Sequence, residues 1–388
     1  MALRFEWDDV PEKFINKSES FSSNIQLSIP ENSNILVRMD NLPVLQSMVE
    51  NGFTGKINLI YIDPPYNTGN KFTYNDNFSI SSDHHSAWLS FMNRRLCLAK
   101  ELLNLSGCIF IAIDQSELYV LKLLCDQIFG EENFINDFMW LHGKGKKDKW
   151  SRTLQQHTLC YARSKKNLSE FTECGQTSWA SKNADDDPRG NWFSGSISFT
   201  ETRSNKNHKN FYSIKSPGGK IWTRQWMVSQ QEMEKLIKDN RIFWGHSPSY
   251  DKVPRLKIFN GESTDVIPKN IIDCVASTRA AQKHLDELLG EKNVFDNPKP
   301  VSLIYHLIKI TGMPNDALIL DFFAGSGTTF EAVCKLNKED GGNRHCILIQ
   351  QNEPVNNKQQ SKFKTIAEIC EERCKKTAAE FKSEIQII

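Results

Sequence analysis

An α/β fold on a mostly parallel sheet, interrupted by an irregular insertion, is predicted for this chain of 388 residues. Three observations predict it. Apolar, β-rich segments alternate with helical patterns through the first 135 residues, as βαβ units do. Between about 140 and 270 that alternation dissolves into Gly, Ser, Asn, Lys and Trp, and it resumes towards the C-terminus. The implied division is 1–139, 140–275 and 276–388.

The elements follow in order. NILVRM (34–39) reads as a strand and LPVLQSMV (42–49) as a short amphipathic helix. KINLIYI (56–62) is nearly all apolar, which suits a central strand buried on both faces. WLSFMNRRLCLAKELL (88–103) has helical spacing, CIFIAI (108–113) is a third strand, and ELYVLKLLCDQIFG (117–130) is a helix stopped by Gly130. Within the irregular region only short strand-like pieces stand out, such as HTLCYAR (157–163) and KIWTRQW (220–226). Regular structure returns with the helix AAQKHLDELLG (280–290), the segment 295–311, the strand ALIL (317–320) and a helix to about Leu336. HCILIQ (345–350) is the last strand, and a charged helix covers 358–381.

Composition narrows the class. Hydrophobic residues at 39% and charged residues at 24% suit a folded globular protein and argue against collagenous, disordered and membrane classes. The longest apolar runs fall far short of the roughly 20 residues that cross a bilayer, and MALRFEWDDV lacks the apolar stretch of a secretory signal. A cytoplasmic address is expected. The ten cysteines are scattered and read as reduced, with no metal site expected even at the close pair Cys370 and Cys374.

Charge is unevenly placed. The net charge is only +1, yet residues 141–260 hold 22 Lys and Arg against 11 Asp and Glu, together with six of the nine tryptophans. Such a segment suits a phosphate backbone with aromatics near bases. It equally suits a solvated basic face over a local tryptophan core, and composition does not choose between the two.

Two motifs carry chemistry. DFFAGSGTT (321–329) follows a strand and opens a helix, where a glycine turn brings backbone N–H groups against a ligand. No lysine follows Gly327, so it is not a P-loop, and the third glycine of a dinucleotide fingerprint is missing. Asp321, the small residues 324–327 and the hydroxyls at 326, 328 and 329 could accept an ammonium on one side and a carboxylate on the other. The amino-acid end of S-adenosylmethionine requires such a pair. The alternative is a tight structural β–α turn.

The second motif is IYIDPPYNTGN (60–70), which sets Asp63 at the carboxyl end of a buried strand, where open α/β sheets collect ligands. Pro64 and Pro65 fix their own φ angles and keep their predecessors out of helical space, so the turn is rigid. An exocyclic amine on a base is conjugated with its ring and is a poor nucleophile. Hydrogen bonds to the Asp63 carboxylate and the Pro64 carbonyl would draw its lone pair out of the ring and aim it, with Tyr66 as an aromatic face for a base rotated out of a duplex. The alternative, a proline-rich surface turn, is the weaker reading for an intact tetrapeptide in this position.

With both motifs in this order around a basic middle, the chain resembles the beta group of adenine-N6 DNA methyltransferases, and within it the modification (Mod) subunits of type III restriction-modification systems. The resemblance covers most of the chain: RMDNLPVL (38–45), DPPYNTGN (63–70), FTYNDNF (72–78), SGCIFIAIDQSE (106–117), IFGEENFIN (128–136), NPKPVSLI (297–304), DFFAGSGTTFEAV (321–333) and HCILIQQNE (345–353). It implies a circularly permuted class I S-adenosylmethionine-dependent methyltransferase sheet, Rossmann-like, whose first strand is ALIL, with 140–275 as a DNA target-recognition region. It further implies that Asp63, Pro64, Pro65 and Tyr66 hold the target adenine. Asp40, Lys299, Pro300, Asp321, Phe322, Phe323, Gly325, Ser326, Gly327, Thr328 and Gln350 would hold S-adenosylmethionine. There are departures: Gln350 and Gln351 stand where many relatives carry an acidic residue, and Met39 replaces a usual glycine.

The expected partners are double-stranded DNA, a second copy of the chain and, by the resemblance, a restriction subunit with nuclease and helicase activity. A length short for that family also suits a solitary enzyme. Rival readings are cytosine-N4 methylation, disfavoured by Asp rather than Ser before Pro-Pro, methylation of a protein glutamine or of RNA, and a non-catalytic DNA-specificity subunit.

Overall fold

The computed structural model describes residues 7, 29–30, 32–69, 84–142, 149–174, 183–246, 249–259, 265–355 and 361–388. FTYNDNF (72–78) and Asn70 therefore lie outside the described residues. The chain forms two compact units, Met1–Thr172 with Ile267–Ile388, and Glu173–Val266.

The first unit is built on a nine-stranded sheet. Its strands in chain order are β1 (Ile35–Val37), β2 (Ile57–Ile62), β3 (Leu103–Ile113), β4 (Phe134–Leu141), β5 (Gln155–Ala162), β6 (Ile271–Ile272), β7 (Leu318–Asp321), β8 (His345–Ile349) and β9 (Gln386–Ile387). Across the sheet they run β6-β4-β5-β3-β2-β7-β8-β1-β9. Pairing is parallel from β3 to β9 and between β6 and β4, and antiparallel only at β3–β5 and β4–β5. The apolar runs of the sequence occupy the centre, with Leu59, Ile60, Ile62, Leu320 and Ile347 essentially unexposed, because a central parallel strand is covered on both faces.

Helices cover those faces: α1 (Asn41–Met48), α2 (His84–Leu102) and α3 (Leu118–Phe129), then α5 (Val301–Ile310), α6 (Thr328–Asp340) and α7 (Ile366–Phe381), while α4 (Thr278–Leu289) packs through Leu285 and Leu289 against Ile366 and Ile369 of α7. Local chemistry sets their ends. Asp40 caps α1 by accepting from the Leu42 amide, Gly130 at φ +94° stops α3, and Thr365 with Glu368 forms a capping box on α7. Two hydrophobic layers result, one on each sheet face, with Trp88, Met92 and Leu121 in one and Leu307, Phe330 and Cys370 in the other.

The late strand β7 enters between β2 and β8, with Leu320 opposite both Ile60 and Ile347. From β2 the chain crosses through α2 to β3 on one side, and from β7 it crosses through α6 to β8 on the other. The carboxyl ends of β2 and β7 thus flank a topological switch point, the place where an open α/β sheet has a crevice. Permuted order and central placement agree with the fold read from sequence.

The irregular region differs in extent. Residues 155–162 are no loose piece of an insertion: β5 pairs antiparallel with β3 over six residues, Cys108 to Ile113, and with β4 on its other side. Leu159, Cys160, Tyr161 and Ala162 are buried, so their apolar character comes from sheet burial. β6 likewise pairs with β4, so the compact second unit spans only 173–266 of the expected 140–275.

That second unit has a small antiparallel sheet of Ile242–Phe243, Arg255–Phe259 and Trp192–Gly195, a hairpin of Phe211–Lys215 and Ile221–Gln225, and a helix Gln230–Lys238 capped by Ser229. Trp226 and Trp244 join Ile197, Ile214, Met233 and Ile242 in its core. Trp192 is also buried, so three of the tryptophans serve a local core while Trp222 stays half-exposed between Lys220 and Arg224. A buried Lys257 is neutralised by Asp185 and Asp187, as an unexposed ammonium must be. No helix of the described residues is long and apolar enough to cross a membrane. Nine cysteines are free thiols among the described residues, and Cys370 and Cys374 are packed in the core.

Candidate active site

A cleft opens at the carboxyl ends of β2 and β7, wholly within the first unit. Asp63, Pro64 and Pro65 form one side, and Asp321 with the turn 322–326 forms another. The two motifs, far apart in sequence, therefore share one crevice.

On the β2 side, the proline turn is anchored from behind. Trp88 Nε1 donates to the Pro65 carbonyl at 2.7 Å, and Asn67, held at φ +58°, donates to the buried Glu117 at 2.7 Å. Asp63 is engaged at both oxygens: the Tyr66 hydroxyl donates to Oδ1 at 2.5 Å and Lys299 Nζ to Oδ2 at 2.6 Å. Lys299, expected in the donor pocket, thus places its ammonium on the acceptor-side carboxylate. Pro300 serves α5 by supplying its N-cap position.

On the β7 side, Asp321 is 2% exposed and accepts from the Thr329 hydroxyl at 2.5 Å and the Phe323 amide at 3.1 Å. Burial pushes its carboxyl up to about 7, the two donors pull it down, and the negative charge of Asp63 adds to the rise. The Tyr61 hydroxyl, which also lines the cleft, is buried and has no hydrogen-bond partner among the described residues.

The glycines of the turn act differently. Gly325 adopts φ +54°, and a Cβ there would come within 3.2 Å of the Phe295 ring, so the cleft wall needs a bare backbone at this point. Gly327, at φ +82°, starts α6 and backs onto the sulfurs of Cys370 and Cys374, each 3.1 Å from where a Cβ would sit. The Ser326 and Thr328 hydroxyls both accept from the buried Arg373 guanidinium, at 3.0 and 2.7 Å. Arg373 in turn donates to Glu331, which also meets His284 Nε2 at 2.6 Å. The His284 bond to Glu331 raises the histidine; burial pushes Glu331 up, but His284 and Arg373 outweigh it and hold the carboxyl below its ordinary value.

The remaining predicted residues close the cleft. Phe322 and Phe323 line it, and Asp40 lines it with its side chain 3.6 Å from Arg95. Gln350 Oε1 accepts from the Gly325 amide at 2.7 Å, which bridges the turn to the end of β8; Gln351 and Glu353 line the cleft beside it. Sequence reasoning missed Asn41, Arg95, Phe91, Phe295 and Tyr61. Asn41 donates to the Phe322 carbonyl at 2.6 Å and is itself held by Arg95, a link over 281 positions that has no local signal.

The donor set fits an elongated, partly cationic ligand: a buried carboxylate for an ammonium, the rings of Phe91, Phe295 and Phe323 for a flat apolar portion, and Gln350 and Glu353 for hydroxyls. Beside it stands a second carboxylate on a rigid turn. Both motifs thus present a carboxylate to one cleft, at the ends of neighbouring strands.

The chain belongs to the DNA methylase family, whose match spans residues 57–372. Among its relatives, the type III restriction-modification enzyme StyLTI Mod subunit of Salmonella typhimurium is 34% identical over 90% of this chain and 58% of the relative, and the EcoPI Mod subunit of Escherichia phage P1 is 33% identical over 92% and 64%. The type II methyltransferase M.KpnI of Klebsiella pneumoniae is 32% identical over 81% of this chain and 80% of its own length. The chain thus spans about six-tenths of the length of the Mod subunits it matches.

Proposed function

We propose that the protein is a site-specific DNA methyltransferase that moves a methyl group from S-adenosylmethionine to N6 of an adenine rotated out of duplex DNA. The observation that carries the reading is the shared cleft of Asp63 and Asp321 at the ends of neighbouring strands. When bound, S-adenosylmethionine supplies a methyl group on a positively charged sulfur. Asp321 receives the ammonium, the bare backbone at Gly325 lets the ligand lie against the turn, and Phe322, Phe323, Gln350 and Asp40 complete the wall. Ser326 and Thr328 line the same cleft and, with Gly327, shape the turn, their hydroxyls held by Arg373.

On the acceptor side, the Asp63 carboxylate and the Pro64 carbonyl accept the two N–H bonds of the target amine and turn its lone pair towards the methyl carbon. Pro65 keeps the turn from relaxing, since φ at 64 and 65 is set covalently. The nitrogen, held by Asp63 and the Pro64 carbonyl, would take the methyl group by direct displacement, the electron pair of the broken S–C bond staying on sulfur. The nitrogen then sheds one proton, for which an Asp63 oxygen is the acceptor at hand. No metal is required by this displacement.

Contact with DNA is assigned to the region 140–275, and within it to the second unit. Residues 202–231 contain six Lys and Arg and no acidic residue, and they fold into the hairpin 211–225, a two-stranded ribbon of the width that a major groove admits. Its outer face carries the hydroxyl pair Ser213 and Thr223, 2.7 Å apart, with Lys215 and Lys220 exposed. The protein acts as a homodimer on this reading, and the kinship with Mod subunits extends the proposal to a restriction subunit as partner.

The test is base-resolved mapping of modified DNA from cells expressing the chain, beside an Asp63→Ala control. N6-methyladenine in one sequence context, absent from the control, is the expected result. Modified cytosine, or marks that persist in the control, would overturn the assignment.

A further inference from the structure

Lys299 stands out as a buried cation whose ammonium does something the donor pocket does not need. It is 8% exposed, and its Nζ lies 2.6 Å from Asp63 Oδ2 and 2.9 Å from the Tyr66 hydroxyl, which itself donates to Asp63 Oδ1. The three groups close a ring that joins the start of α5 to the proline turn across 236 positions.

The cleft gives this ring a purpose. It holds two carboxylates, Asp63 and Asp321, close enough that the charge of the first raises the proton affinity of the second. A cationic methyl donor would be drawn to either, whereas the reaction needs it on Asp321 and a neutral amine on Asp63. We infer that Lys299 is the positioning residue for the acceptor: it provides Asp63 with a resident counter-charge, so that this carboxylate stays oriented yet rejects a second cation and selects a neutral N–H donor. Each carboxylate oxygen carries two lone-pair sites. One on Oδ1 goes to Tyr66 and one on Oδ2 to Lys299, which leaves an acceptor site on either oxygen for the amine.

The inference rests on the methyltransferase reading, and its test separates the two. Wild-type protein, Lys299→Met and Lys299→Arg are compared for donor binding by calorimetry, for binding to a duplex carrying the mapped site, and for the single-turnover rate of methyl transfer at saturating donor and DNA. Expected is a Lys299→Met protein that binds the donor as well as wild type does but transfers about 100-fold more slowly, the scale of a misaligned nucleophile. Lys299→Arg, which keeps the charge with a different fork, recovers to within about tenfold of wild type. A Lys299→Met rate equal to wild type, or a defect that is cured by more donor, overturns the inference by placing Lys299 in the donor pocket. Should Lys299→Met fail to fold, Lys299→Arg alone decides: normal donor affinity with transfer within about tenfold supports the role, and weakened donor affinity with an unchanged saturated rate overturns it. Absence of transfer by wild type itself would instead remove the underlying reading.

Discussion

Lowering the pH from about 7 to about 5.5 is expected to weaken donor binding about fifteenfold, through the single carboxyl group of Asp321. Its proton affinity is raised by burial so that it titrates at about 7. If the ammonium of the donor binds only the ionised form, about half the sites are competent at pH 7 and about 3% at pH 5.5. The donor's own amine, with an ordinary value near 8, stays mainly protonated over that range, so it does not produce the loss. Nor does unfolding through this group. The folded state binds the Asp321 proton more tightly than the unfolded chain does, so its contribution to stability grows as pH falls from about 7 towards 3.8. The Thr329 hydroxyl, 2.5 Å from Oδ2, favours the ionised form. Replacing it in Thr329→Val removes a charge-assisted bond of about 1.5–3 kcal/mol, which moves the midpoint up by about one to two pH units. At pH 7 the variant should bind donor about 5- to 50-fold more weakly than wild type, with the difference shrinking as pH rises. Titration calorimetry with S-adenosylmethionine across this pH range measures both effects. A dissociation constant that stays flat, or a Thr329→Val midpoint equal to wild type, refutes the assignment of Asp321 to the ammonium.

Two further outcomes follow from the turn. Gly325→Ala forces a side chain into φ +54° and against Phe295, at a cost of about 1–3 kcal/mol; donor affinity should fall about tenfold by calorimetry, and an unchanged affinity would mean that the turn does not touch the donor. Arg373→Met leaves Glu331 buried with His284 as its remaining strong partner and frees the Ser326 and Thr328 hydroxyls. Chemical denaturation should show a loss of about 3–5 kcal/mol, and the double variant Arg373→Met with Glu331→Met should recover part of it, because the stranded charge is gone.

The parts legible in the sequence were those governed by local rules. The strands at 57–62, 108–113 and 345–349 are apolar runs because both faces of a central parallel strand are covered, and that shows in one dimension. The rigidity of 63–66 comes from covalent rings, and the bend at 325–327 from two glycines with positive φ. The strand at 155–162 was recognisable as a strand, but its place was not: its flanks are polar and irregular, and only pairing with β3 shows that it belongs to the main sheet.

What the amino-acid order determined by itself was therefore the chemistry available: a carboxylate on a stiff turn, another before a glycine bend, and a basic middle. Which groups meet was decided by the tertiary structure. Lys299 reaches Asp63, Asn41 reaches the Phe322 carbonyl, and Arg373 reaches Ser326 and Thr328 over 236, 281 and 45 to 47 positions. A charged side chain in sequence is free to pair with any opposite charge, and only burial, which removes water as the competing partner, makes one pairing compulsory.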